Sequence, residues 1–371
     1  MESEEFSPAR LTLARRRRGF TKRALGEEIG RTERAIVRYE RSDRAPEPET
    51  MQLLSKKLRF PVSFFFRKAQ DTLSEADASF RALSKLKAAD RERALAGGEL
   101  VLDLADWIDA QFVLPKPDLP NLRPQPTPEE AADALRIRWG LDDKPIANMI
   151  RLLEAKGVRV FSLAEDCAEV DAFSFWRGDQ PFVMLNTMKS AERSRFDAAH
   201  ELGHLVLHRH GQPNGREAER EADVFASAFL MPRTSILAYA PRNPTIANIL
   251  RAKRQWNVAA MALVHRMHSV GVISDWYYRQ LCIQMSGMGY RKVEPEGGDR
   301  EMSQVLEKVF AALRARGKSR NDVARELDWP LDELRAFVFQ LVIGSVAGGS
   351  TEPPPKTTPQ TAGPRILRIV G

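Results

Sequence analysis

The spacing of apolar and polar residues predicts a set of short helices over residues 8–66. Apolar positions recur every three or four residues, in short stretches separated by glycine, proline or polar residues. Thr21 and Thr32 stand where N-caps are expected, and each opens a predicted helix, over 22–29 and 33–41 respectively. A glycine suits the tight turn between them. The pair has the pattern of a helix-turn-helix.

A helical connector and a proline-rich stretch are predicted next. Leucines at core-packing spacing predict a long helix over 75–113. Residues 115–128 contain six prolines in fourteen positions, so this stretch cannot be helical throughout. We expect it to be a linker at a domain boundary.

Beyond the linker the pattern predicts a mixture of helices and strands. Thr127 and the proline after it predict a helix start, and a second helix is expected over 145–156. Ser190 opens a longer helix. Apolar runs predict three strands before it, over 158–163, 172–176 and 182–185. The combination indicates an α+β domain with a small sheet.

The last third of the chain is predicted to be helical and to end in a tail. Helical periodicity covers 217–240 and 245–283. A second helix-turn-helix-like pattern, over 319–339, lacks a basic face, so we expect it to pack or to bind a partner. The proline- and threonine-rich tail is expected to be disordered, although residues 365–371 are suited to a sheet edge.

These patterns together predict a multidomain, mostly α protein. The expected parts are an all-α helix-turn-helix domain, an α+β domain and a helical C-terminal region. Their predicted boundaries are 8–68 for the first domain, 72–114 for the helical connector, 115–128 for the linker, 129–240 for the α+β domain, 241–347 for the C-terminal region and 348–371 for the tail.

Charge and cysteine usage indicate the class of partner and the cellular compartment to expect. The formal net charge is +7, and the whole excess lies in residues 1–70, which hold 17 basic and 10 acidic residues. A polyanionic partner is therefore expected at this end. The two cysteines, Cys167 and Cys282, lie far apart and fit a reducing compartment. No signal peptide or membrane span is evident, so a cytoplasmic location without membrane contact is expected.

The N-terminal pattern resembles the XRE (Cro/cI-like) repressor family in the stretches 15–21, 36–41 and 46–50. The resemblance implies double-stranded operator DNA as a partner, with helix 33–41 in the major groove and homodimers on two half-sites. The residues implied to contact DNA are Lys22, Arg23, Arg31, Thr32, Glu33, Arg34 and Arg38. The alternative is a basic helical module that binds protein and shows no salt-dependent affinity for DNA.

The most specific chemical signal is the sequence His200-Glu201-Leu202-Gly203-His204. On a helix, residues four apart share a face, so His200 and His204 can offer two imidazole nitrogens to one cation. Glu201 lies between them and is suited to act as a general base. A zincin-like hydrolase site using Zn²⁺ is expected, and such a site needs a third protein ligand.

Several residues compete for the place of the third ligand. His208 lies about 12 Å along the helix axis from His200, which is too far for an unbroken helix. His210 fits the metzincin spacing, but Leu207 stands where that pattern needs a glycine. Four acidic residues follow on the next predicted helix, where they also fit a solvated helix start: Glu217, Glu219, Glu221 and Asp223. Glu219 and Asp223 are one turn apart, so Glu219 can bind metal while Asp223 holds a histidine N–H.

Residues 196–208, 219–226 and 230–232 resemble the ImmA/IrrE metallopeptidase family. The resemblance runs from about residue 125 to 240 and implies Glu219 as the third ligand, although the register also allows Glu221. It further implies cleavage of a repressor protein that controls stress-response or mobile-element genes. We expect peptide hydrolysis with Glu201 as the proton carrier, and strand 182–185 as an exposed edge for the substrate backbone.

Two other functions fit the same sequence. In the first, the chain is a transcription factor whose peptidase-like domain is a non-catalytic sensor or dimerisation module. In the second, it is a toxin–antitoxin component or a peptidase whose helix-turn-helix domain binds only protein. Zinc content and repressor cleavage, compared between the natural chain and Glu201→Gln, would separate these functions.

Overall fold

The computed structural model describes residues 5–73, 87–122, 127–163, 170–209, 215–242, 244–338, 341–342 and 368–369. Most of these residues are helical, and a three-stranded sheet occupies the middle of the chain. The predicted class, mostly α with a helical N-terminal domain, an α+β region and a helical C-terminal region, is confirmed. No helix in the described ranges has the length and apolar character needed to cross a membrane.

The N-terminal region consists of four short helices and a 3-10 turn. They are α1 (Pro8–Arg17), α2 (Lys22–Glu28), α3 (Glu33–Glu40), α4 (Pro48–Leu58) and the 3-10 helix Val62–Phe66. Thr21 and Thr32 cap α2 and α3, each accepting a hydrogen bond from the backbone N–H three residues later. Gly30 has a positive φ of 65°, which lets the chain reverse between the two helices.

A long buried helix, α5 (Ala88–Asp109), packs against α1 and leads into the short strand β1 (Phe112–Val113). Residues 74–86, the start of the predicted connector, lie outside the described residues. β1 pairs antiparallel with β5 (Arg368–Ile369). Residues 368–369 are thus an exception to the predicted disorder of the tail, because the unpaired backbone of β1 offers them hydrogen bonds. The rest of residues 348–371 lies outside the described ranges.

The described part of the proline-rich stretch, residues 115–122, packs on the rest of the chain. Leu114, Leu119 and Leu122 are buried. The N–H of Asp118 donates to the carbonyl of Lys156, and the N–H of Leu122 donates to that of Val206. Proline prevents a helix here, but the leucines between the prolines still bury apolar surface against the following region.

The α+β region places three strands beside the helix that carries the histidine motif. Its elements are α6 (Pro128–Arg138), α7 (Met149–Ala155), β2 (Arg159–Ser162), β3 (Ala172–Arg177), β4 (Gln180–Leu185), α8 (Ala191–Leu207) and α9 (Gly215–Leu230). The strand order is β2-β4-β3, with β2 and β4 parallel and β3 and β4 antiparallel. Phe175 and Phe182 stack across the β3–β4 pair with ring centroids 4.9 Å apart.

The expectation that strand 182–185 forms an exposed edge is wrong. β4 is the central strand, hydrogen-bonded to β2 on one side and to β3 on the other. Its residues Phe182–Leu185 are buried, and a continuous apolar run of this kind suits a strand covered on both faces. The edges of this sheet are β2 and β3.

Residues 233–338 add further helices. They are α10 (Arg233–Tyr239), α11 (Ile246–Trp256), α12 (Ala260–Ser269), α13 (Asp275–Gly287), α14 (Gln304–Ala315), α15 (Arg320–Glu326) and α16 (Leu331–Val338). The helix predicted over 217–240 is divided into α9 and α10 by Pro232, which cannot continue a helix. The pair α15 and α16 forms the second helix-turn-helix-like pattern.

Candidate metal centre and helix-turn-helix surface

The helices α8 and α9 pack so closely that their polar residues meet. Gly203, between the two motif histidines, permits this approach: a Cβ there would lie 3.2 Å from Cα of Ala222 and 3.1 Å from the ring of Phe225. The Ser190 hydroxyl caps α8 by accepting from the N–H of Arg193. Because both backbones are regular, His200 and His204 share the face of α8 that is turned towards α9.

The structure brings His200, His204 and Glu219 together. The Nε2 atoms of His200 and His204 lie 3.0 Å apart. The carboxylate oxygens of Glu219 lie 3.5 Å from Nε2 of His200 and 3.4 Å from Nε2 of His204. Three atoms bound to one tetrahedral metal ion at about 2.1 Å would be roughly 3.4 Å apart. Among the described residues, this trio is the group whose ligand atoms could hold a metal ion.

The other ring nitrogens of the two histidines are both engaged. Nδ1 of His200 is 2.9 Å from Oδ1 of Asp223, and Nδ1 of His204 is 3.0 Å from Nδ1 of His208. Nε2 of His208 in turn lies 2.8 Å from Glu221. One set of tautomers fits all three contacts: each Nδ1–H of His200 and His204 donates outward, and Nε2–H of His208 donates to Glu221. Both lone pairs on the converging Nε2 atoms are then available to a cation, so the donor set fits a metal ion.

In the metal-free protein a proton takes the place of a cation between His200 and Glu219, so both ring nitrogens of His200 carry a hydrogen. Burial disfavours the charged form of His200, but its hydrogen bonds to Asp223 and Glu219 outweigh burial and raise its pKa to about 10. Burial likewise disfavours the charged Glu219, while hydrogen bonds from His200 and His204 lower its pKa to about 2. The cluster therefore carries a negative carboxylate and attracts positive charge, which a divalent cation supplies.

Glu201 reaches β3 from α8. Its carboxylate is buried, and Oε2 accepts a hydrogen bond of 2.6 Å from the Ser174 hydroxyl on β3. The sequence carries no signal for Ser174, because it stands alone in an apolar strand about 27 residues upstream. The sequence offers His208 and Glu221 as candidate ligands, whereas the structure places them behind His204. His210 lies outside the described residues.

The residues predicted to contact DNA fall into two groups. Glu33, Arg34 and Arg38 are exposed on α3. The other four have partners within the N-terminal region: Lys22 lies 3.3 Å from Glu40, Arg23 pairs with Glu27, Arg31 donates to Thr50, and Thr32 caps α3.

The arginine run that dominates the N-terminal charge is turned inward. Arg15 pairs with Glu40, Arg16 with Glu92 and Glu99, and both Arg17 and Arg18 with Glu333. The partners on α5 and α16 lie outside residues 1–70. Part of the positive charge of residues 1–70 is therefore neutralised by carboxylates from the rest of the chain. The +7 balance of residues 1–70 thus overstates the charge that is available to a polyanion.

Comparisons with known families match two parts of the chain. Residues 11–65 match the model of the family described as helix-turn-helix, and residues 153–268 match a peptidase family described as IrrE N-terminal-like domain. The first range runs from α1 into the 3-10 helix, and the second runs from the end of α7 to α12 and includes the His200, His204 and Glu219 cluster. No curated protein matches the chain.

Proposed function

We propose that this chain, an ImmA/IrrE-type protein with an N-terminal helix-turn-helix domain, is a DNA-binding regulator that hydrolyses a peptide bond in a repressor protein. The observation that carries the proposal is the convergence of two imidazole nitrogens and one carboxylate beside the buried Glu201. Endopeptidase activity, the repressor substrate and the control of stress-response or mobile-element genes are parts of the proposal.

We propose Zn²⁺ as the metal, held by His200, His204 and Glu219. Two histidines and one glutamate are a ligand set of catalytic zinc sites, which keep a further position open for water or substrate. Asp223 and the pair His208–Glu221 orient the two imidazoles from behind. When bound, the ion would supply Lewis acidity towards the scissile carbonyl.

Glu201 is proposed as the residue that moves the proton. It accepts a proton from the attacking water and later donates it to the leaving amine, so that the amine departs neutral. The Ser174 hydroxyl holds Oε2, which leaves the second carboxylate oxygen in a defined direction. A carboxylate held in one rotamer loses less entropy when the substrate is attacked.

The substrate backbone is proposed to add to β3, because β4 is central and has no edge to offer. β3 is an edge strand of its sheet in the described structure, packs against α8, and carries Ser174 beside Glu201. An extended peptide paired with β3 would therefore pass alongside the catalytic carboxylate.

The helix-turn-helix domain is proposed to bind operator DNA through α3, as one half of a homodimer. Arg34 and Arg38 are exposed on this helix, and Thr32, which caps its N-terminus, is exposed as well. A DNA-bound peptidase would meet a repressor on neighbouring DNA at a high effective concentration.

One experiment tests the catalytic part of this proposal. The purified chain, loaded with Zn²⁺, is incubated with repressors encoded beside it, and cleavage is followed by mass spectrometry. Glu201→Gln should bind the metal but lose cleavage by at least about a hundredfold. Glu217→Gln, an exposed change on α9, serves as the control and should cut normally. Undiminished cleavage by Glu201→Gln, or zinc binding without cleavage by the unmodified chain, would favour a non-catalytic sensor domain.

A further inference from the structure

The outer face of α13 (Asp275–Gly287) is exposed although it carries large apolar side chains. Trp276 is 67% exposed and Ile283 is 66% exposed. Leu281 and Met285, on the opposite side of the helix, are buried in the core and hold α13 to the rest of the chain. The helix therefore has apolar residues on its inner face and further apolar residues on the face turned to solvent.

The exposed residues form one narrow stripe along that face, here called the α13 stripe. It consists of Trp276, Gln280, Ile283 and Gly287. Their spacing of four, three and four residues places them within about 60° around the helix axis. This is also the spacing of the a and d positions of a coiled coil, which pack against another helix. None of the four residues is charged, so the α13 stripe has the pattern of a helix contact surface.

The α13 stripe matches a second copy of itself in size. Gly287 is exposed, and a Cβ there would meet no other part of the chain within 4 Å. A two-fold axis through the middle of the stripe sets the two helices antiparallel. Trp276 then lies opposite Gly287 of the second copy, and Gln280 lies opposite Ile283. The bulkiest side chain thus meets the residue without one, whereas a parallel pair would leave the two glycines facing each other across a gap.

The residues around Gly287 extend this match. Met288, 56% exposed, follows it directly, and Ile283 lies one turn before it. Both would contact the edges of an indole that is seated on the glycine. Gln284 is also exposed, and in the same arrangement it lies beside Gln280 of the second copy, where the two amides can exchange hydrogen bonds.

We propose that α13 packs antiparallel on α13 of a second copy, with Trp276 of each copy seated on Gly287 of the other. One pair of short helices makes an interface at the low end of the usual size, so a dissociation constant in the micromolar range is expected. This interface would serve the homodimer proposed for operator binding. Association is measured without DNA, metal or substrate, so its failure is distinct from a failure of DNA binding or of cleavage.

Sedimentation equilibrium of the full chain, over about 1–100 μM, tests the proposal. The unmodified chain should pass from one copy to two over this range. Gly287→Leu should weaken association about tenfold or more, because the leucine occupies the place of the indole. Misfolding is not expected, because the new side chain has free space within its own copy and leucine favours a helix more than glycine does. Gly215→Leu, at an equally open glycine that begins α9, is the matched control and should associate normally.

A compensating pair of substitutions separates the proposed packing from a general effect of Gly287→Leu. Adding Trp276→Ala to Gly287→Leu exchanges the large and the small partner, so association should recover in part. A chain that stays monomeric at about 100 μM would overturn the proposal and would mean that a second copy does not cover this face. A dimer that Gly287→Leu leaves intact, or that the double substitution weakens further, would overturn it as well.

Discussion

At the scale of single residues, the orientation of the proposed metal ligands depends on side chains that lie behind them. Nδ1 of His204 contacts His208, and His208 contacts Glu221, so an imidazole and a carboxylate extend the cluster away from the site where metal would bind. The His208 side chain is 4% exposed and that of Glu221 25%, so the contact between the two imidazoles is shielded from water while the carboxylate reaches it. Orientation of a metal-binding histidine by such contacts normally raises metal affinity.

We predict that His208→Ala lowers Zn²⁺ affinity by about 10- to 100-fold, because His204 loses the partner that fixes its tautomer and ring orientation. Competition with a chromophoric chelator measures this affinity without any peptidase assay. His268→Ala is the control, because His268 also pairs with a carboxylate, Asp275, but belongs to α12. Equal affinities of the two variants would contradict an orienting role for His208.

A second prediction at this scale concerns Ser174. Ser174→Ala removes the hydrogen bond to Glu201, and a hydrogen bond to a charged group contributes about 1.5–3 kcal/mol. We expect kcat to fall about tenfold or more with little change in KM, since the carboxylate loses its orientation but the backbone of β3, the proposed substrate-binding strand, does not change. Ser162→Ala removes a buried serine of β2 that bonds to Thr187 instead, and it should leave kcat unchanged.

At the scale of elements, helix ends were predictable and sheet order was not. Thr21, Thr32 and Ser190 cap helices where the sequence places them, because an N-cap is a contact between neighbours in the chain. The order β2-β4-β3 depends on a parallel pairing across more than twenty residues, which no local pattern encodes. Because the parallel pairing is not encoded locally, the sequence does not show that β4 is the central strand.

One capping contact also bridges two distant elements. Glu154 of α7 accepts hydrogen bonds from the Ser303 hydroxyl and from the N–H groups of Gln304 and Val305 at the start of α14. Burial nevertheless disfavours its charged form more than these bonds favour it, so the pKa of Glu154 is raised. The folded protein therefore holds this proton at a pH where the unfolded chain has released it.

The sign of the pH effect follows from that difference. The stabilising contribution of protonated Glu154 is complete below the ordinary glutamate pKa and is lost as pH rises through the raised value. Glu154→Gln stays neutral and keeps an acceptor, so its unfolding free energy should fall less steeply over this window. Urea denaturation at a series of pH values measures the slope. A slope equal to that of the unmodified chain would contradict the raised pKa.

At the scale of the whole molecule, ion pairs join the helix-turn-helix domain to α16 and to the turn before it. Glu333 of α16 is 2% exposed and pairs with Arg17 at 3.0 Å and with Arg18 at 2.6 Å. Asp328, just before α16, contacts Ser63 and Arg67. The C-terminal helices also reach α7 through Glu154. The helix-turn-helix domain therefore packs on α5 and α16.

We predict that Glu333→Ala destabilises the protein by about 3–5 kcal/mol, because it leaves the guanidinium groups of Arg17 and Arg18 without their carboxylate. Chemical denaturation of the full chain measures the loss. The control is Glu307→Ala, which removes an exposed carboxylate of α14 and should change stability by less than about 0.5 kcal/mol. A small effect of Glu333→Ala would mean that this contact does not hold the domain.

DNA binding provides the other test at this scale. Arg38→Ala should weaken binding to DNA of any sequence and reduce the slope of log affinity against log salt by about one, as expected for one phosphate contact. Arg16→Gln should leave the slope unchanged, because Arg16 is turned towards Glu92 and Glu99 on α5. A reduced slope for Arg16→Gln would mean that Arg16 contacts a DNA phosphate.

The sequence by itself determined whatever depends on neighbours in the chain. It placed His200, Glu201 and His204 on one helix, gave α2 and α3 their caps, and marked the two regions that the family models match. Tertiary structure decided which distant side chains meet. Only the packing of α8 on α9 separates Glu219, beside both histidines, from Glu221, which contacts His208. Only the contacts with α5 and α16 show that Arg16, Arg17 and Arg18 are paired with carboxylates, because a sequence records how many charges a segment has but not which side chains neutralise them.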